Sequence, residues 1–149
     1  MHPEDVRVFF SFMQDKDSLW QAAFTPKEPH NLVAHVEHWN KILNNPAILN
    51  RTILVDGVVV GNIGRYFMDE IAQLTYWIGA DYKNQGIATA AVKEFLLLDT
   101  QRPMEARTAF DNLASAKVLE KNGFLVWGAD TYFANARNAE IVETIWRLV

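Results

Sequence analysis

Residues 74–92 read Leu-Thr-Tyr-Trp-Ile-Gly-Ala-Asp-Tyr-Lys-Asn-Gln-Gly-Ile-Ala-Thr-Ala-Ala-Val, and this stretch decides the fold. Leu74 to Ile78 is β-branched and aromatic, a composition that packs well on a pleated, half-buried surface, so it predicts a strand. Gly79 to Tyr82 interrupts it. From Gly86 the residues turn small and apolar, and Ile87, Ala91 and Phe95 recur at the spacing that lines one helical face. The turn between, Lys83 to Ala88, carries the chemistry. The first amides of a helix have no intrahelical acceptor and the helix dipole is positive there, so phosphate or pyrophosphate is favoured. Gly86 has no Cβ to hold an anion away. Ala88 and Thr89 keep the next turn small, and Lys83 adds a positive charge. The loop lacks Gly-Lys-Ser/Thr, and it holds one of the three glycines of a dinucleotide fingerprint, so both of those phosphate motifs are excluded. Taken alone, the same residues also suit an ordinary loop with a glycine at the helix start.

Working outward, Ile48–Val55 and Val58–Phe67 predict two strands joined by Asp56-Gly57, a strong two-residue hairpin signal. Gly61 and Gly64 allow bends in the second. Met68 to Glu70 turns the chain into a central strand from Ile71. Upstream, Pro3–Met13 predicts a helix with Pro3, Glu4 and Asp5 at its start and Val6, Phe9, Phe10 and Met13 on one face. Asp15–Pro29 reads as irregular. Asn31 caps a second helix to about Asn44. His30, His35 and His38 lie here without an acidic partner at ligand spacing, so boundary roles are expected and no metal site. Downstream, the helix from Gly86 ends near Leu98 and Met104–Phe110 is a short strand. Asn112 caps another helix, Gly123 is its C′ glycine, and Phe124–Phe133 and Ile141–Val149 are two strands.

Composition sets the class. The 149 residues form one expected domain, 1–149, large enough for a core, and half of them are hydrophobic. There is no cysteine, which excludes disulfides, a thiolate nucleophile and Cys-ligated zinc. No basic n-region, membrane-length apolar run or basic stripe is seen, so the expectation is a cytoplasmic protein without membrane or nucleic-acid partners. The net charge of −4 favours a cationic acceptor over a phosphorylated one.

The loop Lys83-Asn84-Gln85-Gly86-Ile87-Ala88, after a strand ending Tyr76-Trp77-Ile78-Gly79, resembles the Arg/Gln-x-x-Gly-x-Gly/Ala acetyl-CoA loop of the GNAT superfamily of N-acetyltransferases. Lys83 departs from the pattern, keeping the charge but losing the planar fork. Asn112, Ser115, Lys121, Gly123 and Phe124 match that family's Asn-x-x-Ser-x-x-x-x-x-Lys-x-Gly-Phe motif. The two motifs together are much more specific than either alone, and they look most like the branch that acetylates ribosomal-protein N-termini. The resemblance implies an α+β (mixed α/β) fold: a central, mostly antiparallel sheet splayed between two strands, here Ile71–Gly79 and Met104–Phe110, with helices on both faces. The family's first edge strand has no room before Pro3, so either it is missing or the true start lies upstream. A missing strand leaves an exposed edge that can pair with another chain, and a homodimer is one expectation.

By the same resemblance, acetyl-CoA is the cosubstrate, with no metal. Trp77, Ile78, Gly79, Lys83, Asn84, Gln85, Gly86, Ile87, Ala88, Thr89, Asn112 and Ser115 are expected to bind it. The acceptor is a primary amine, on a protein N-terminus or a small molecule. A free α-amine titrates near 8, so neutralising it at pH 7 costs about 1.4 kcal/mol, against about 4.6 kcal/mol for a lysine. A weak base acting through water therefore suffices. Of the carboxylates beside the central strand, Asp69 and Glu70, Glu70 is the expected base, and Tyr76 a second residue shaping the site. A main-chain N–H near Trp77–Ile78 polarises the thioester carbonyl, and Ser115 protonates the departing sulfur. Ser115 also suits plain capping as the third helical residue. The competing reading is a silent GNAT domain that senses acyl-CoA.

Overall fold

The structure, a computed structural model, describes residues 1–149. Three helices come first: α1 (Asp5–Phe12), α2 (Lys16–Ala22) and α3 (Leu32–Leu43). An antiparallel meander follows, β1 (Leu49–Val55), β2 (Val58–Met68) and β3 (Ile71–Ile78). Then come α4 (Ile87–Leu98), β4 (Met104–Ala109), α5 (Leu113–Lys121) and the hairpin β5 (Leu125–Ala134) and β6 (Ala139–Leu148). The six strands form one sheet in the order β1-β2-β3-β4-β6-β5, all neighbours antiparallel except β3 and β4. This is the mixed, mostly antiparallel sheet that the sequence predicts.

Local signals act as expected at most junctions. Asp56 and Gly57 both take positive φ, 50° and 79°, which is the two-residue turn that matches strand twist. Asn112 Oδ1 accepts the Ser115 amide at 3.2 Å, and Gly123 (φ 87°) ends α5 in a left-handed C-cap. The region 15–29 departs from its expected irregularity. Asp15 accepts from both the Ser18 amide (2.9 Å) and the Ser18 hydroxyl (2.7 Å), and this double cap starts α2.

The register assigns two faces. Ala72, Leu74 and Ile78 of β3, Met104 and Ala106 of β4 and Trp146 of β6 pack against Val92 and Phe95 of α4 and Leu119 of α5 as the main core. On the other face, α1 sits over β1 and β2, with the Phe9 ring tilted against Trp39 of α3 at 5.1 Å between centroids and Asp5 accepting from Thr52 at 2.7 Å. His35, one of the three histidines, bonds the Val6 carbonyl at 2.8 Å and joins α3 to α1. Ala23, just after α2, packs on Ala109 and Ala134.

One break in the sheet positions everything below. β3 and β4 pair at only three positions, Ala72 with Met104, Gln73 with Glu105 and Leu74 with Ala106. Past these, Thr75–Ile78 and Arg107–Ala109 part. Strand amides point alternately to either neighbour, so those on this side of β3 lose their ladder partners.

Candidate active site

The end of the parted strands opens into a cavity of about 500 Å³. Its walls come from four places: Tyr76, Trp77 and Ile78 of β3, the Lys83–Thr89 loop except Gln85, one side of α5 from its Asn112 cap to Lys121, and Ser18, Gln21 and Ala22 of α2.

The loop has the geometry of an anion cradle. Asn84 and Gly86 both take the left-handed conformation, φ 62° and 75°, on either side of Gln85, and α4 begins directly after. No backbone carbonyl accepts from the amides of Asn84, Gln85, Gly86, Ile87, Ala88 or Thr89, and no side chain caps the helix. Six successive free N–H groups in such a turn, at the positive end of α4, make a concavity for phosphate oxygens. A Cβ built on Gly86 meets no atom within 4 Å, so the glycine serves the backbone angle and outside access rather than internal packing.

Opposite the loop, the Tyr76 hydroxyl and Ser115 Oγ are hydrogen-bonded at 2.9 Å. β3 brings one and the first turn of α5 the other, and both line the cavity. Burial pushes the Tyr76 hydroxyl up to about 12, with the Ser115 bond pulling it back slightly. Tyr76 therefore stays protonated at neutral pH and can donate to Ser115, which leaves the serine proton free to point elsewhere. Asn112 lines the cavity as well, its Oδ1 committed to the α5 cap and its amide NH2 uncommitted.

Three sequence expectations change. Glu70 sits in the β2–β3 turn, exposed, at the far end of β3. Tyr76 lies six positions further along the chain, about 20 Å away at strand rise, so Glu70 has no part in the site. The error was one of direction along the strand: Glu70 is near β3 in sequence but at the wrong end. Gly79 does not line the cavity. Its amide donates to the Val60 carbonyl at 2.8 Å, and an added Cβ would fall 2.7 Å from the Phe12 ring, so its role is close packing of α1 on the strand end. Lys83 lines the cavity, but its ammonium donates to Ser18 Oγ (2.7 Å) and Gln21 Oε1 (3.3 Å) of α2. Burial lowers its pKa against the pull of Asp15 and Asp17. Lys83 thus fastens α2 to the loop. Gln85 turns its side chain to the Asp81 carbonyl at 3.3 Å and offers the loop only its amide.

The sequence reading missed a polar group on the face opposite Ser115. Gln73 donates to Glu105 Oε1 at 3.0 Å, and Arg147 reaches Glu105 Oε2 through Nε (3.0 Å) and Nη2 (2.6 Å). Arg107 donates to Glu143 at 3.3 Å. The alternation of Glu105 and Arg107 with apolar Met104 and Ala106 was the available signal. No group of three His, Asp or Glu side chains is arranged to hold a metal ion, and no helix is long and apolar enough to cross a membrane.

Comparison with known proteins bears on this geometry. A family model described as an acetyltransferase (GNAT) domain matches residues 1–125. Among curated proteins none matches. Solved structures share the fold at low identity. A microcin C7 self-immunity acetyltransferase, MccE, in complex with acetyl-CoA and AMP superposes with a TM-score of 0.82 at 18% identity, covering 99% of this chain and 88% of that one. A ribosomal-protein-alanine N-acetyltransferase from Brucella melitensis gives 0.82 at 14%, covering 100% and 96%. A spermidine N-acetyltransferase from Vibrio cholerae in complex with CoA and spermine gives 0.79 at 15%, covering 98% and 90%.

Proposed function

Because the chain belongs to the GNAT family of acetyltransferases, we propose that it moves an acetyl group from acetyl-CoA to a primary amine by direct attack, with Ser115 serving the departing sulfur. The observation that carries this reading is the pairing of six unpartnered amides, Asn84 to Thr89, with the Tyr76–Ser115 hydrogen bond across one cavity.

The residues present fit acetyl-CoA. The free amides and Gly86 suit its pyrophosphate, the parted edge of β3 at Trp77 and Ile78 suits an extended amide-bearing arm, and the Asn112 amide can donate to that arm. The thioester supplies an activated acyl carbon: as the amine nitrogen bonds to it, the carbon–sulfur bond breaks and the nitrogen gives up a proton. The chain's own part is small and local. Strand amides left unpaired beyond Leu74 offer a donor for the carbonyl oxygen. Tyr76 holds Ser115 in place through the 2.9 Å bond, and Ser115 Oγ holds a proton for sulfur. A thiol with a pKa near 8.5 leaves readily enough that about 2 kcal/mol of help suffices. Water at the cleft accepts the proton of an α-amine, as the cost of about 1.4 kcal/mol requires no strong base.

Ser115→Ala is expected to lower kcat about 30-fold, the equivalent of those 2 kcal/mol, and to leave the Kd for acetyl-CoA within a factor of three. Thiol release against an N-terminal peptide and calorimetry with acetyl-CoA measure the two. A protein that only senses acyl-CoA would bind it with no turnover to lose, in both the parent and the variant. A homodimer is supported by the position of β1 as an open sheet edge, with Leu54 and Val55 exposed. Light scattering at high concentration is expected to give twice the 17.0 kDa chain mass, and a strictly monomeric mass rejects it.

A further inference from the structure

The joint between β4 and α5, Phe110 to Asn112, carries Ser115 to the cavity, and apolar packing holds it only loosely. Phe110 is 56% exposed, and Leu113, the first residue of α5, is 68% exposed. The Asn112 cap is internal to α5, so it fixes the helix start to itself and to nothing else. From outside the segment one main-chain bond reaches the joint, the Phe110 amide donating to the Val142 carbonyl at 3.0 Å. The other tie is a side chain from the turn between β5 and β6. Arg137 donates to Asp111 through Nη1 (2.7 Å) and Nη2 (2.8 Å).

This guanidinium is engaged on every side. Its Nε donates to the Trp20 carbonyl at 2.9 Å, and its Cζ lies 4.8 Å from the centroid of the Trp20 ring. The turn that bears it is itself tied down. The Ala136 amide donates to the Ala23 carbonyl at 3.2 Å, and Asn135 Nδ2 donates to the Thr25 carbonyl at 2.8 Å. The Arg137 bonds hold the Asp111 carboxyl below its ordinary value, so the pair is intact at neutral pH. An ion pair at a surface contributes little stability, but a bidentate fork fixes geometry in a way a point charge does not. Asp111 stands one residue before the α5 cap and four before Ser115. Where the fork holds Asp111 therefore sets where the first turn of α5 directs Ser115 Oγ. Arg137 itself does not line the cavity that holds Tyr76 and Ser115.

Resting on the reading that Ser115 serves the departing sulfur, we propose that Arg137 is a positioning residue for acetyl transfer: through Asp111 it fixes the start of α5 so that Ser115 Oγ meets both Tyr76 and the thioester. Rate is sensitive to such placement, since a shift of about 1 Å costs up to about 100-fold.

The test is a double-mutant cycle on the full chain. Thiol release from acetyl-CoA is followed with an N-terminal peptide or spermidine, whichever is turned over faster, and calorimetry gives the Kd for acetyl-CoA. Arg137→Lys keeps the charge but cannot span both Asp111 oxygens and the Trp20 carbonyl. It is expected to lower kcat about tenfold and leave the Kd within a factor of about three. In a Ser115→Ala background the same change is expected to lower kcat less than about twofold, because residues that act as a unit do not lose their effects additively. Asp111→Asn keeps the shape and removes the charge, and the same pattern is expected at about fivefold. It replaces Arg137→Lys if that chain folds poorly, and melting temperatures are recorded for every variant. Arg137 also lines a second cavity, of about 580 Å³, so the space left by Arg137→Ala is open to a small cation. Millimolar guanidinium is expected to raise kcat of that variant at least about threefold, and methylammonium at the same concentration is not. Losses that multiply in the double variant overturn the role of Arg137. So does a loss that falls on the Kd instead of kcat, or a variant deaf to guanidinium. In each of those cases the Ser115 reading stands, whereas an unchanged kcat in Ser115→Ala alone overturns both.

Discussion

Gly86→Asp is expected to raise the Kd for acetyl-CoA about 100-fold at low salt, while Gly86→Asn raises it only a few-fold. Gly86 stands at φ 75°, where most L-residues pay a steric cost, but Asn and Asp visit this region with the least strain. Nothing lies within 4 Å of an added Cβ, so neither variant disturbs the packing. The two side chains have the same shape and differ by one charge. That charge would lie beside the free amides of residues 84–89, where the reading above puts a pyrophosphate. Like unit charges about 5 Å apart at an effective dielectric of 20 repel by about 3 kcal/mol, which is the expected factor. Half-molar salt should recover much of the loss, because screening then acts within a few ångströms. Calorimetry of both variants at 50 mM and 500 mM salt measures this. Equal losses in Asn and Asp would remove the loop as the phosphate site.

Glu105→Ala is expected to cost about 3 kcal/mol of folding stability, the low end for opening a buried ion pair, since Arg147 keeps some contact with water. Glu105 is 4% exposed and receives two bonds from Arg147 and one from Gln73. Removing it leaves the Arg147 guanidinium against the Trp127 ring at 3.9 Å with no carboxylate. Glu105→Gln keeps the shape and tests the charge by its pH dependence. Burial works against the Glu105 carboxylate, but the Arg147 and Gln73 bonds hold it below the ordinary value of 4.5. The unfolded chain therefore takes up this proton more readily than the folded one. The stability it contributes is complete above pH 4.5 and is lost as pH falls through the lower folded value. The penalty of Glu105→Gln should accordingly be full at pH 7 and shrink below pH 4.5. Glu143 has the opposite sign, since burial raises it despite Arg107, and its effect falls above 4.5 instead. Urea titrations of both chains at pH 7, 5 and 3.5 read the difference. A penalty that grows in acid would refute the assignment.

How much of this was legible depends on how local each cause is. The Lys83–Thr89 loop, the Asp56-Gly57 turn and the Asn112 cap are written in a few adjacent residues, and the chain obeys them. α2 escaped because it is seven residues long and hangs on one cap, Asp15 to Ser18, with two prolines just downstream at positions 26 and 29. Glu70 was misplaced because the order of residues does not say which end of β3 lies at the parting of the strands. That depends on the parallel pairing of Gln73 with Glu105, residues 32 apart. The polar face of Gln73, Trp77 and Arg107 left only the alternation of Glu105 and Arg107 with Met104 and Ala106 as a trace, because the partners that complete it come from strands distant in sequence.

The short pairing of Ala72–Leu74 with Met104–Ala106 has a mechanical consequence. The sheet amounts to two three-stranded ribbons, β1-β2-β3 and β4-β6-β5, riveted at three rungs. Side-chain packing beneath that rivet holds the ribbons together, while their free ends can flex about it. A ligand lying along the fork supplies the absent rungs, so its arrival should stiffen the whole molecule and slow amide exchange in Thr75–Ile78 well beyond the atoms it touches.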